Sequence, residues 1–302
     1  MTTFRNQLKT VVLLGALSAL IIGLGGLVAP GHLYLFGALA LLMNLGAYFF
    51  SDRIVLRMHG ASEVGPAQAP ELHAMVAELA GRAGIPKPRV FVIPEDQPNA
   101  FATGRNPSKG VVAVTRGIMA LLDRRELRGV LAHEIAHIQN RDILVSSIAA
   151  AGAALISYVA NALTFGALFG GGSSDEGEEG GSAAGGLLAA FVAPIAAMLI
   201  QMGISRSREY IADATGAQLS GDPEALASAL LKLEHAAQVI PAETAPATAS
   251  LFIVNPFGAM QNVARWFSTH PSTADRVRRL REMTRFTAAG GSARTAWARG
   301  EW

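Results

Sequence analysis

Four long stretches without a charged side chain constrain this sequence more than any other feature. Residues 11–29, 33–50, 143–169 and 187–204 contain no Asp, Glu, Lys or Arg. Each is close to the ~20 helical residues that cross about 30 Å of hydrocarbon. They imply four membrane spans arranged as two hairpins, the first covering residues 1–50 with only Pro30, Gly31 and His32 as its turn. Arg5 and Lys9 ahead of the first block would also suit a cleaved signal peptide, but the apolar run is long and a second span follows at once.

Cationic residues give the orientation. Arg5, Lys9, Arg53, Arg57, Arg141, Arg206 and Arg208 all flank the same ends of the four blocks, which assigns that side and both termini to the cytoplasm. Residues 170–186, between the last two blocks, form a Gly/Ser segment with Asp175, Glu176, Glu178 and Glu179 and no cation, and read as a disordered loop. With 51% apolar and 16% charged residues the chain is too apolar for an ordinary soluble protein. The net charge of +2 follows from topology, and without a dense basic stripe or interleaved aromatics nucleic acid is excluded as a partner. No cysteine is present, so disulfides, thiol nucleophiles and Cys-ligated zinc are excluded too.

Between the two hairpins stands His133-Glu134-Ile135-Ala136-His137. On a helix, imidazoles four residues apart share a face and can hold one zinc ion, with the intervening carboxylate beside it to handle a proton. Asp123 and Glu126 have capping-box spacing, and Leu127, Val130, Leu131, Ala132, Ile135 and Ile138 continue an apolar face, so a helix is expected from about Arg124. This pattern points to a metallopeptidase.

A catalytic zinc takes a third protein ligand, and after the fourth block the chain reads Ser205-Arg206-Ser207-Arg208-Glu209-Tyr210-Ile211-Ala212-Asp213. Counting 1.5 Å per residue, Glu209 leaves the last span at roughly the depth at which His137 enters the third, which favours Glu209 as a ligand over a solvated partner of Arg206 or Arg208. Asp213, one turn on, suits either a ligand histidine or an arginine. Asp142 similarly suits either a histidine or a helix end.

These motifs, with Pro98-Asn99-Ala100-Phe101-Ala102-Thr103-Gly104 and Ser268-Thr269-His270-Pro271, make nearly the whole chain resemble the HtpX-type zinc endopeptidases of bacterial inner membranes, which are gluzincins related to the CAAX prenyl endopeptidases. The resemblance implies one zinc ion on His133, His137 and Glu209, with Glu134 as general base. It implies that Asn99 and Ala100 bind substrate backbone, and that His270 and Arg276 line the cleft and steady an oxyanion. Tyr210, beside the candidate ligand, is a second candidate donor. The expected substrates are damaged membrane proteins at the cytoplasmic face, in stress-response quality control, with self-cleavage included. Cleavage of lipidated peptides, or a non-catalytic zinc-binding adaptor, are the alternatives.

The remaining segments complete a mainly α fold with a small β-sheet. Residues 89–93 and 111–115 read as strands flanking Asn99–Gly104, which is either an edge strand able to pair with a peptide or a turn. Residues 70–83 and 222–238 read as amphipathic helices, and another begins near Ser272. The expected organisation is a cytosolic catalytic part at 51–142, a second hairpin at 143–204, a second catalytic part at 205–287, and a flexible tail from 288. His32, His59, His73 and His235 are expected to be surface or packing residues.

Overall fold

A computed structural model describes residues 2–28, 30–153, 206–240, 251–254 and 271–288. Helix α1 (Thr2–Val28) and helix α2 (Leu33–Met58) form the first hairpin, joined through a short 3-10 turn at Pro30–His32. Asn44 pins them together, its Nδ2 donating to the Leu14 carbonyl at 3.0 Å and to Ser18 Oγ at 2.7 Å. α2 is long and apolar enough to cross a membrane, and Tyr34, Leu35, Leu41, Leu42 and Phe49 along it are exposed. A row of large apolar side chains facing outward is what a lipid-facing helix presents.

The helix does not stop at residue 50, where the uncharged block ends. It continues to Met58, because from Ser51 onward it becomes amphipathic: Ser51, Val55 and Leu56 are buried while Arg53 and Arg57 stay exposed. The last turns of α2, from Ser51, pack against the sheet that follows.

Four strands follow, β1 (Ser62–Glu63), β2 (Arg89–Ile93), β3 (Ala100–Thr103) and β4 (Val111–Thr115), in the order β1-β2-β4-β3. β2 and β4 are parallel, while β1 and β3 run antiparallel to their neighbours. The Asn99–Gly104 segment is thus largely strand, and the turn reading gives way. Thr115 explains this locally: its Oγ1 accepts from the Asn99 N–H at 2.9 Å and from the Ile118 N–H at 3.1 Å, closing the ladder and capping α4 (Arg116–Leu121).

Side chains alternate across this sheet, and both faces are buried. Val90, Val112 and Val114 face α3 (Pro70–Ala83) and α5 (Arg124–Gln139) in the main core, with Val76, Leu79, Leu131 and Ile135. Phe91, Ile93, Phe101, Val111 and Ala113 face Val55 and Leu56 of α2 and Ala150 of α6, the helix at Ile143–Ala153. α7 (Arg206–Ser220) lies along α5, α8 (Pro223–Val239) covers both, and α9 (Thr273–Ala288) packs on α8. Of the expected third span only α6 is described. The fourth span, the 170–186 loop, His270 and the tail past 288 lie outside the described residues.

Candidate metal centre

α5 is built to present its histidines. Asp123 accepts from the N–H groups of Arg125 and Glu126 while Glu126 accepts from the Asp123 N–H, a reciprocal cap that satisfies donors a helix start leaves orphaned. Glu126 is itself held by Ser228 and Lys232 of α8, each at 2.7 Å. Leu131, Ala132, Ile135 and Ala136 are fully buried, which fixes the helix rotation and turns His133, Glu134 and His137 toward α7.

α7 approaches α5 at a glycine. A Cβ on Gly216 would stand 2.8 Å from the His133 nitrogen, so only glycine allows the two backbones this close. The approach brings Glu209 to the histidines: His133 Nε2 is 3.6 Å from Glu209 Oε2, His137 Nε2 is 3.7 Å from Glu209 Oε1, and the two Nε2 atoms are 3.1 Å apart. One donor atom from each of the three residues lies within 4.8 Å of the others.

The opposite ring nitrogens face carboxylates. His133 Nδ1 is 2.9 Å from Asp213 Oδ1, and His137 Nδ1 lies 3.1 Å from both oxygens of Asp142. Arg141 adopts a left-handed backbone (φ 58) just past the α5 end, turning the chain so that Asp142 reaches back to His137. Both carboxylates favour the tautomers in which the Nε2 lone pairs point into the centre. Asp213 takes both roles that were open to it, because Arg276 Nε and Nη2 donate to it at 2.8 and 2.7 Å.

Electrostatics follow from burial among these charges. Burial raises the Glu134 carboxyl to about 8; Glu209 adds to the rise, while His137 and the Ala102 N–H oppose it. Burial alone would lower His137, but Asp142, Glu209 and Glu134 lift it to about 10. His133 is lowered, chiefly by burial. Burial would raise Asp213, yet Arg276 and His133 bring it down to about 2. Two imidazole nitrogens 3.1 Å apart beside a carboxylate fit a divalent cation, which displaces protons from such ligands and takes the place between them. The two Nε2 atoms stand 3.1 Å apart, each faces a different oxygen of the Glu209 carboxylate, and one ligand atom from each residue lies within 4.8 Å of the others, a spacing that a single small cation with bonds of about 2.0–2.2 Å could draw together.

Other expected residues are placed differently. Arg276, 2% exposed, also donates from Nη1 to the Ile253 carbonyl at 2.6 Å, and its Nη2 lies 3.9 Å from Glu209 Oε2, so the guanidinium sits in the wall between the candidate ligands and residues 251–254. Asn99 is buried and its Oδ1 accepts from the Ile253 N–H at 3.3 Å. Tyr210 carries the Arg279 guanidinium over its ring at 4.0 Å, outside the residues lining the cavity. His59 and His73 are buried packing residues, contacting Glu95 Oε1 and the Val64 carbonyl, each at 2.9 Å. Ala102 is a participant that motif reading passed over. In the β3–β4 ladder Asn99 pairs toward β4, so Ala100 and Ala102 turn their backbone groups to the free edge, and the Ala102 N–H meets Glu134. Strand alternation was the available signal. Leu251, Phe252 and Ile253 also line the cavity, and no motif marks them.

A histidine pair on one helix, a glutamate from a second and a further carboxylate beside a sheet edge are the arrangement of a metallopeptidase of the gluzincin type. The chain belongs to peptidase family M48, whose model matches residues 66–284. It is 53% identical over 281 residues to a "Protease HtpX homolog" of Syntrophobacter fumaroxidans, covering 92% of this chain and 99% of that protein. It is 50% identical to proteins of the same name from Pelotomaculum thermopropionicum and Burkholderia mallei, covering 92% and 93% of this chain and 99% and 98% of theirs. A solved structure of Ste24p from S. mikatae aligns with a TM-score of 0.48 at 20% identity, covering 92% of this chain and 66% of that one.

Proposed function

We propose that the chain is a multi-pass endopeptidase of the bacterial inner membrane that holds one zinc ion on His133, His137 and Glu209 and hydrolyses peptide bonds of membrane proteins at the cytoplasmic face. The observation that carries the proposal is the meeting of three ligand atoms within 4.8 Å, with Glu134 beside them on the same helix. Family membership and relatives named as HtpX proteases support it. The four uncharged blocks, the one-sided cations and the exposed apolar face of α2 support the membrane placement.

When bound, zinc supplies Lewis-acid activation of water and of the scissile carbonyl. The charge of a bound dication would hold Glu134 ionised against the rise that burial causes, and the carboxylate would take the proton of the attacking water and pass it to the departing amine. Asp142 and Asp213 keep the imidazoles oriented, and Arg276 keeps Asp213 ionised and in place. The outward backbone groups of Ala100 and Ala102 pair with an extended substrate, which grips it with little regard to sequence. Lipidated peptides are a lower-ranked substrate class, since the relatives that match this chain along nearly its whole length are named as HtpX proteases.

The test is zinc content and proteolysis of the detergent-purified protein. Glu134→Gln is expected to retain zinc while losing about 10²- to 10⁴-fold in turnover, since the amide keeps the shape of the acid without its basicity. Glu209→Ala is expected to lose the metal itself. Wild-type cleavage rates in the first variant, or full zinc in the second, would reject the assignment.

A further inference from the structure

Asn99 and Arg276, the groups that the family resemblance reserves for substrate and transition state, hold the chain's own backbone. The Ile253 N–H donates to Asn99 Oδ1 at 3.3 Å and the Ile253 carbonyl accepts from Arg276 Nη1 at 2.6 Å. Leu251, Phe252 and Ile253 are buried around this grip, and all three line the same cavity as His133, Glu134 and Glu209. That cavity measures about 40 Å³, where one water needs about 10–15 Å³ by the same kind of measure. It has room for an ion and a few waters.

We infer that residues 251–254 form a strap that occupies the substrate groove and competes with substrate, so that the groove selects extended segments bearing consecutive bulky apolar side chains. This rests on the peptidase reading of the site and specifies its substrate class and its restraint. Residues 251–253 line the same cavity as Phe101, Ala102 and Glu134, so a peptide pairing with the outer edge of β3 competes with them for that space. Displacing the strap withdraws Leu251 from the cluster of Phe101, Val55 and Ala150, and Ile253 from the cluster of Val277 and Leu280. An incoming segment restores that burial only with side chains of similar size and polarity. A Gly- or Ser-rich segment can form the backbone hydrogen bonds but leaves those apolar surfaces open.

Arg276 links the strap to the metal centre. Its Nε and Nη2 hold Asp213, which faces His133 Nδ1, while Nη1 holds Ile253. When Ile253 leaves, Nη1 becomes a buried donor without an acceptor, which is unfavourable until a carbonyl replaces it. A substrate carbonyl in that position restores the arrangement around Asp213. Arg276 is thus a positioning residue shared by groove and metal ligand.

The absence of cysteine makes the test direct. Phe252→Cys in the Glu134→Gln background carries a single thiol, whose maleimide labelling is followed in micelles with a saturating Leu/Phe/Ile-rich peptide or a Gly/Ser peptide of equal length. Labelling is expected to accelerate about tenfold with the apolar peptide and to stay near its basal rate with the polar one. Unchanged or slower labelling with the apolar peptide overturns the proposal and makes the strap a fixed wall. Ile253→Pro, which removes the N–H given to Asn99, provides an independent reading in otherwise wild-type protein. A KM several-fold lower for the apolar peptide at unchanged zinc content is expected, and an equal or higher KM counts against the strap. If zinc-loaded wild type cleaves nothing, the peptidase reading fails separately, and labelling of the Gln variant still decides the strap.

Discussion

Asp213 sits between the buried His133 imidazole and a buried guanidinium, and its charge satisfies both. Arg276 meets two of its oxygens in a bidentate pair at 2.7 and 2.8 Å, while Oδ1 also stands 2.9 Å from His133 Nδ1. Removing one member of a buried ionic network leaves the others uncompensated, which costs more than the pair itself contributes. Asp213→Asn is expected to keep the fold but lower zinc affinity about 10- to 100-fold, the range found when partners of ligand histidines are lost. Zinc titration against a competing chelator measures this, and an unchanged affinity would assign Asp213 to packing alone. At this scale the pentapeptide and Glu209 were legible in the sequence because ligand chemistry restricts residue type and spacing. The pairing of Arg276 with Asp213 was not, because two residues 63 positions apart share no local pattern.

The site is made where α5 and α7 cross, and the crossing depends on Gly216. Gly216→Ala places a methyl group 2.8 Å from the His133 nitrogen and 2.9 Å from its Cα, so α7 must shift and carry Glu209 with it. A loss of about 1–3 kcal/mol in stability and a measurable drop in zinc affinity are expected. Wild-type zinc binding in that variant would mean that the interface yields without moving Glu209. The α5 cap has its own pH signature. Burial would raise the Glu126 carboxyl, but Lys232, Ser228 and the Asp123 N–H outweigh it and hold it below its usual 4.5. A depressed folded-state value means stability present above about pH 4.5 and lost as pH falls through the lower folded value. Glu126→Gln keeps the cap geometry but removes that titration, so its melting temperature should fall less between pH 6 and pH 3 than the wild type's. Parallel curves would remove Glu126 from the acid response. Helix starts such as this one were readable because capping is local, and Asp123 with Glu126 states it within four residues. For β3 the sequence left an edge strand and a turn both open, because Asn99–Gly104 has turn-like composition, and pairing with β4 decides for the strand.

In the whole molecule the catalytic sheet is held between a soluble-type core and the ends of apolar helices. Val55 and Leu56 of α2 and Ala150 of α6 cover the face carrying Phe91, Phe101 and Val111. Removing the hairpin together with the end of α2 would therefore expose one side of the sheet. The metal centre ties α5, placed before the long apolar blocks, to α7, placed after them. Binding that requires the folded arrangement adds its free energy to folding, about 2.7 kcal/mol at a hundredfold excess over Kd. Chelation should lower the apparent melting temperature of the purified protein by roughly 5 °C and abolish proteolysis together, with both restored by zinc. Loss of activity without any change in melting would show that the ion does not bridge the two helices.

The sequence by itself determined the apolar blocks, the caps, the alternating strands and the types of residue able to hold a metal, because each depends on neighbours within a few positions. Tertiary structure alone decided that α2 runs on to cover the sheet, that β3 is an edge with Ala102 facing Glu134, and that Asn99 and Arg276 grip Ile253. Those outcomes depend on which distant surfaces meet, and burial energy is shared among elements that no local pattern joins.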